Sequence, residues 1–287
     1  MTTSLLTLTR NRRRHLLNLM ESLRRQSRKP DELVIACMQP AIEPDLPEIG
    51  IPVRQFTVPG DDLPLAAARN RAAEAATGET LIFLDVDCVA APGLVDRFTD
   101  ACAETDGFFL GEVLYLPGGA IDGALDFDAL DAVGIVHPSK PDMPRTGLRR
   151  EANTGEFWGL SFAVRKATWA RLGGMDERFV GYGGEETDLA ARLDPAGVPL
   201  YWTAGARAYH QHHTVHVPPL PHFDAILTNA RRFHAKHRRW CMDYWLGQFA
   251  ERGLIEWDPA GDEIVARRRP TPEELAAARQ PDSVRFS

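Results

Sequence analysis

Four large apolar residues, Leu81, Ile82, Phe83 and Leu84, run straight into two carboxylates, Asp85 and Asp87, with only Val86 between them. The run has the length of a strand buried on both faces, the kind found in parallel sheets. Such a strand has no use for charge in its interior, so the two aspartates belong at its end. In open α/β sheets, ligands collect at the carboxyl ends of the strands. Two carboxylates there are hard oxygen ligands for Mg2+ or Mn2+, which in turn can hold a diphosphate. A pair of acidic caps at a strand-to-loop junction is the plainer reading, and Asp-x-Asp by itself does not decide.

The surrounding chain sets limits on partners. At 287 residues there is material for one large domain or two small ones. A net charge of -7 argues against a general nucleic-acid or anionic-membrane surface, although basic residues cluster at 10–14 and 231–239. The second cluster, with Phe233 and Trp240 nearby, reads as a solvated helix face in preference to a membrane contact. Cys37, Cys88, Cys102 and Cys241 are scattered without Cys-x-x-Cys spacing, which disfavours a disulfide framework or structural zinc and fits a reducing cytosol. No apolar run is long enough to span a bilayer, and the first residues lack the pattern of a signal peptide. The expected location is therefore cytoplasmic.

Hydrophobic periodicity alternates between strand and helix along the chain. Strands are expected at 4–9, 32–37, 51–58, 81–85, 107–116, 157–164 and 198–203. Helices are expected at 12–24 with Asn11 as N-cap, 64–77 ended by Gly78, 91–102, 166–172, 186–193, 223–249 and 272–279. The opening strand–helix–strand is a βαβ unit with right-handed crossover. Residues 117–150 have no clear period and read as a functional loop or a partly disordered one. No internal repeat is visible.

Two later stretches carry chemistry. Gly181-Tyr182-Gly183-Gly184 leads into Glu185-Glu186-Thr187-Asp188 at the front of a helix. The helix dipole accounts for some of that acidity, whereas flanking glycines let backbone approach a ligand or move. His210-Gln211-His212-His213, followed by His216, offers metal ligands, a proton relay or a solvated surface.

In this order, Arg69-Asn70, Asp85-Val86-Asp87, Gly183-Gly184-Glu185-Glu186-x-Asp188 and His210-x-x-His213 resemble the family 2 glycosyltransferases of the GT-A fold, with a galactosyltransferase-like later half. The resemblance runs from about residue 4 to about residue 250. It implies a Rossmann-like α/β fold with a mostly parallel central sheet flanked by helices. A nucleotide-sugar-binding half would cover about 1–105, an acceptor and catalytic half about 106–250, and an extension 251–287. It further implies that Thr9 and Arg10 sit near the nucleotide, that Arg69 and Asn70 contact the donor, and that Asp85 faces the nucleoside. Asp87 would bind the metal, completed by His210 and His213, and Glu186 would be the catalytic base. Gly184, Glu185 and Asp188 would border the acceptor, as would Trp158, whose ring could stack on a sugar or simply be buried in its strand. Two departures stand out: Cys37-Met38-Gln39 lacks the acidic residue that often holds the nucleobase, and the base position carries Glu186 in place of the usual Asp. No Gln-x-x-Arg-Trp occurs, which disfavours a processive polysaccharide synthase.

The expected function is a metal-dependent, inverting transfer from a nucleoside-diphosphate-sugar, UDP-linked by resemblance, to an acceptor hydroxyl. Galactose, glucose or their N-acetyl forms lead as donor sugars. A nucleotidyltransferase also uses Asp-x-Asp carboxylates with Mg2+, but has no need of the Gly-Gly-Glu-Glu segment. A non-catalytic sugar- or nucleotide-binding module could keep the same scaffold.

Overall fold

A computed structural model describes residues 1–60 and 62–286. Strand β1 (Thr3–Thr9) is wholly buried and leads through a loop into helix α1 (Arg13–Arg24). Asn11 is not its N-cap: that position is Arg12, without a side-chain cap. Asn11 instead takes a left-handed φ of 55°, which Asn tolerates well, and its N–H donates to Gln39 Oε1 at 2.8 Å. Strands β2 (Glu32–Cys37) and β3 (Val53–Thr57) follow, then helix α2 (Leu65–Ala75) and strand β4 (Thr80–Leu84). Gly78 lies beyond the end of α2, whose C-cap is Ala76. A β-carbon at Gly78 would meet the Ser4 backbone nitrogen at 2.6 Å, so close approach to β1 explains the glycine.

Strand β5 (Cys88–Ala90), helix α3 (Leu94–Glu104) and strand β6 (Phe108–Tyr115) come next. The aperiodic stretch that follows is ordered in short pieces, helix α4 (Phe127–Val133), strand β7 (Ile135–Val136) and strand β8 (Leu148–Glu151). Strand β9 (Ser161–Arg165) starts four residues later than its apolar pattern, because Phe157 leaves the sheet to pack edge-on against Phe108 and Phe162. Helices α5 (Lys166–Leu172) and α6 (Glu185–Leu193) precede a long strand, β10 (Leu200–His210). The expected helix at 223–249 is two, α7 (Phe223–His237) and α8 (Asp243–Glu251), broken where Arg238 and Met242 adopt left-handed φ. A hairpin of β11 (Ile255–Trp257) and β12 (Ile264–Ala266) and helix α9 (Pro272–Ala278) complete the chain.

The main sheet among the described residues runs β3-β2-β1-β4-β9-β6-β10-β5, with β7 and β8 attached to β6 and β10. It is mixed, not mostly parallel. The first four strands are mutually parallel, but β9 is antiparallel to both β4 and β6, and β5 is antiparallel to β10. The βαβ pattern of the first half dictates parallel pairing; the second half folds back and inserts β9 between β4 and β6.

Side chains of each strand alternate between two apolar layers. Leu6, Leu8, Leu81 and Phe83 pack toward α2, α5 and α6, while Leu5, Ile82 and Leu84 pack toward α1 and α3. A third core joins α7 and α8 to residues 254–278 through Phe223, Ile226, Phe249, Leu254, Ile264 and Ala278. All four cysteines are free and buried. No helix among the described residues is long and apolar enough to cross a membrane.

Candidate metal and carboxylate site

The two aspartates leave β4 in different directions. Asp85 follows the last residue of the strand, and its N–H donates to the Leu160 carbonyl at 3.0 Å. A turn closed by Cys88 N–H on the Asp85 carbonyl (2.8 Å) then launches β5. Because β5 pairs with the end of β10, placing Cys88 opposite His210, Asp87 arrives beside the histidine segment. Gln211 fixes this meeting: its N–H donates to the Asp87 carbonyl at 2.6 Å, and its side chain bridges Asn18, the His15 carbonyl and the Val86 carbonyl.

Asp87 Oδ1 lies 3.8 Å from His210 Nε2, and Oδ2 lies 3.5 Å from His213 Nε2. One ligand atom from each residue falls within 4.8 Å of the others. Two bonds of about 2.1 Å to a shared ion span up to ~4.2 Å, so the spacing suits a cation between them. Asp87 Oδ1 is buried and has no hydrogen-bond partner among the described residues, which fits an oxygen that a cation would satisfy by coordination. Burial lowers the His210 pKa to about 4, keeping the imidazole neutral with a lone pair to offer. Burial opposes ionisation of Asp87, but His210, His213, Arg12 and His15 outweigh it and hold that carboxyl below its ordinary value. One carboxylate and two imidazoles suit Mn2+ well and Mg2+ less well.

The second half of the site centres on Arg69, buried within α2. Its guanidinium reaches Asp85 (3.1 Å), Glu185 (3.4 Å) and Glu186 (2.7 Å). The glutamates come from the first turn of α6, whose N-cap Gly184 has a φ of 96° and no room for a side chain against Phe179 and Asn229. Asn229 of α7 donates to the Val180 and Gly183 carbonyls and so holds the glycine loop from behind. Burial pushes the Glu186 carboxyl well above its ordinary value, with Arg69 opposing and Glu185 and Asp85 reinforcing the rise. Glu185 and Asp85 are raised for the same first cause, burial. A carboxyl with a raised pKa is, once ionised, a stronger proton acceptor than an ordinary one.

The remaining expected site residues separate into near and far. Thr9 ends β1 with its buried hydroxyl unpartnered among the described residues, and Arg10 lines a cleft of about 430 Å³ together with Leu63, Tyr182, His222 and Arg269. Tyr182 stacks on His222 at 4.4 Å, and burial pushes its phenol up, with the charges of Glu186, Glu185, Asp87 and Asp85 reinforcing the rise. Asn70 faces the turn at 174–177: its amide donates to the Met175 carbonyl and Glu177 and accepts from Met175 N–H. Asp188 is fully buried and faces α7, where Lys236 (2.6 Å) and His237 (2.8 Å) meet it, with Arg192 of its own helix at 3.1 Å. The basic run at 231–239 is therefore not simply a solvated face; Arg231 donates to the Ile264 carbonyl, Arg232 to the Arg178 carbonyl, and Lys236 also to Asp176.

Trp158 is half-buried just outside β9, not within a strand. One ring face is covered by Lys140 Nζ at 3.4 Å from its centre, and His137 packs edge-on at 4.8 Å. Its neighbour Gly159 abuts Glu186, where any β-carbon would collide with the carboxylate. Gln211, Tyr115, His15 and Lys140 carried no distinguishing signal in the sequence; only pairing of distant segments brings them to the site.

The mixed sheet flanked by helices has a GT-A-like architecture, and the chain is similar in sequence to glycosyltransferases. The sequence model of glycosyl transferase family 2 matches residues 51–118, and that of the N-terminal domain of galactosyltransferase matches 145–216. The first segment holds Arg69, Asp85 and Asp87; the second holds Glu186, His210 and His213. N-acetylgalactosaminyltransferase 7 of Drosophila melanogaster is 27% identical over 161 residues, 51% of this chain and 27% of that protein. Validoxylamine A glucosyltransferase of Streptomyces hygroscopicus subsp. jinggangensis is 34% identical over 85 residues, 28% of this chain and 19% of that protein. The chain thus spans about a quarter or less of the length of these curated relatives. Among solved structures, GalNAc-T7 with UDP, GalNAc and Mn2+ superposes with a TM-score of 0.58 at 19% identity, over 91% of this chain and 53% of that one. S. aureus TarS 1-349 gives 0.52 at 13%, over 80% and 64%. The chain is related to the family 2 and galactosyltransferase-type enzymes and shares their fold.

Proposed function

We propose that this chain is an inverting, metal-dependent glycosyltransferase that moves a sugar from a nucleoside-diphosphate-sugar, UDP-linked, to an acceptor hydroxyl in a reducing cytosol. The observation that carries the reading is the convergence of Asp87, His210 and His213, with Val86 alone between Asp87 and Asp85, which Arg69 joins to Glu186. The residues fit Mn2+ or Mg2+, which when bound would supply a Lewis acid for the charge on the departing diphosphate.

Asp87, His210 and His213 hold the cation, and Thr9 and Arg10 line the nucleotide side, where the 430 Å³ cleft offers room for a nucleoside. Asp85 faces the nucleoside, anchored by Arg69. Glu186 takes the proton of the acceptor hydroxyl as that oxygen attacks the anomeric carbon opposite the diphosphate, so the configuration inverts. Arg69 keeps Glu186 oriented, and Gly184 and Glu185 set the approach to it. Asn70 and Asp188 position segments 174–177 and α6–α7, which replaces the direct substrate contacts expected of them. A sugar stacks on Trp158 only if it displaces Lys140 or uses the opposite ring face. The groups that touch the substrates belong to residues 1–250, and the extension adds Arg269 to the wall of the cleft.

Incubating the full chain with a panel of nucleotide-sugars, with and without Mn2+, tests the proposal. Release of nucleoside diphosphate from one donor that an acceptor accelerates, with that acceleration lost in Glu186→Gln, supports it. Release of pyrophosphate from a nucleoside triphosphate, or a product with retained configuration, contradicts it.

A further inference from the structure

Residues 278–286 return from α9 along the segment that carries the histidines. Val217 N–H donates to the Ala278 carbonyl (2.8 Å) and Gln280 N–H to the Val215 carbonyl (2.9 Å), so the two run antiparallel. Further on, His212 Nε2 lies 3.2 Å from the Val284 carbonyl, which makes that nitrogen the donor. Arg285 donates to the Val133 carbonyl at 2.6 Å. The Phe286 ring packs edge-on to Tyr115 at 5.5 Å and against His137 at 4.6 Å.

Two of these contacts, Phe286 on Tyr115 and Val284 on His212, end one step from a metal-ligating candidate. Tyr115 pairs with His210 across β6 and β10 and lies ring to ring with it at 4.8 Å. His212 sits next to His213 in a segment without regular structure, where the His213 ring meets Asp87 and, through Nδ1, the Thr214 carbonyl at 3.1 Å. The His212 carbonyl is met from the other side by His15 Nε2 at 3.3 Å. His210 is thus backed by Tyr115 and Phe286, and His213 by His212 clamped between α1 and Val284.

We propose that residues 284–286 are positioning residues for the Asp87–His210–His213 centre, acting through Tyr115 and His212. This rests on the metal reading above. Groups that orient a metal's ligands from behind typically alter affinity ~10-fold or more when removed. Neither Phe286 nor His212 belongs to an apolar core among the described residues, so their loss leaves the fold in place.

Mn2+ titration of the full chain by calorimetry, with no sugar present, provides the test. Phe286→Ala and His212→Ala are each expected to weaken Mn2+ binding ~10-fold with an unchanged Tm, whereas Phe286→Tyr retains it and the exposed control Glu273→Ala is neutral. Wild-type affinity in the Phe286→Ala, His212→Ala double variant, while Asp87→Ala abolishes binding, overturns the positioning role alone. Absence of Mn2+ binding in the wild type, or binding unaffected by Asp87→Ala, overturns the metal reading and this inference with it.

Discussion

Arg69 Nη2 lies 2.7 Å from Glu186 Oε1, joining a residue of α2 to one 117 positions later at the front of α6. The same guanidinium serves Asp85 and Glu185, so one buried cation faces three carboxylates. Full ionisation would leave net negative charge in a desolvated place, which is why burial lifts these acids.

The pH profile should report that lift. A base must be ionised to act, so a raised Glu186 moves the acid limb of kcat/KM to higher pH than an ordinary glutamate near 4.3 gives. Arg69→Met removes the opposing cation and should move the limb higher still. A limb at or below the ordinary value contradicts the assignment.

Stability should show the reverse side of the same arrangement. A carboxyl raised in the folded state contributes stability below its unfolded pKa and loses it as pH rises through the folded value. At neutral pH, Glu186→Gln is therefore expected to be more stable than wild type by ~1 kcal/mol, with a flatter dependence of stability on pH above about 4.3. Denaturant unfolding at several pH values measures this; a destabilised variant at pH 7 would contradict it.

Gly159→Ala should damage activity more than folding. Its φ of 70° disfavours a side chain by about 1–2 kcal/mol, and the new methyl would push directly on the Glu186 carboxylate. A fall in kcat of at least ~10-fold beside a modest loss of Tm is expected. Unchanged kcat would mean that the Glu186 position is not critical.

Asp188→Ala should behave as a folding variant. It strands Lys236, His237 and Arg192 around a buried gap, at a cost of about 3–5 kcal/mol. Acceptor KM in the folded fraction should hold. A stable protein with weakened acceptor binding would restore Asp188 to the acceptor site.

What could be read from the sequence was local. The apolar run ending in Asp85 and Asp87 announces a strand with carboxylates at its tip, and the parallel first half follows from βαβ spacing. The antiparallel insertion of β9 depends on which strands meet across 80 residues, and no periodicity encodes that. The break between α7 and α8 turns on two non-glycine residues in left-handed φ, which residue type does not signal. His210 and His213 were visible as a cluster, but Gln211, which anchors them to Asp87, looks like a spacer. The acidic first turn of α6 read as one group, yet Asp188 points to α7 while Glu185 and Glu186 point to Arg69.

Under the proposed function, donor activation depends on a cation that Asp87 would hold. Release of UDP from UDP-sugars by the wild-type chain and by Asp87→Ala, each with and without Mn2+, tests it most directly. Release is expected from one donor only when Mn2+ is present, and none from Asp87→Ala under any condition. Release that survives in Asp87→Ala, or that proceeds equally after chelation of the metal, would contradict it.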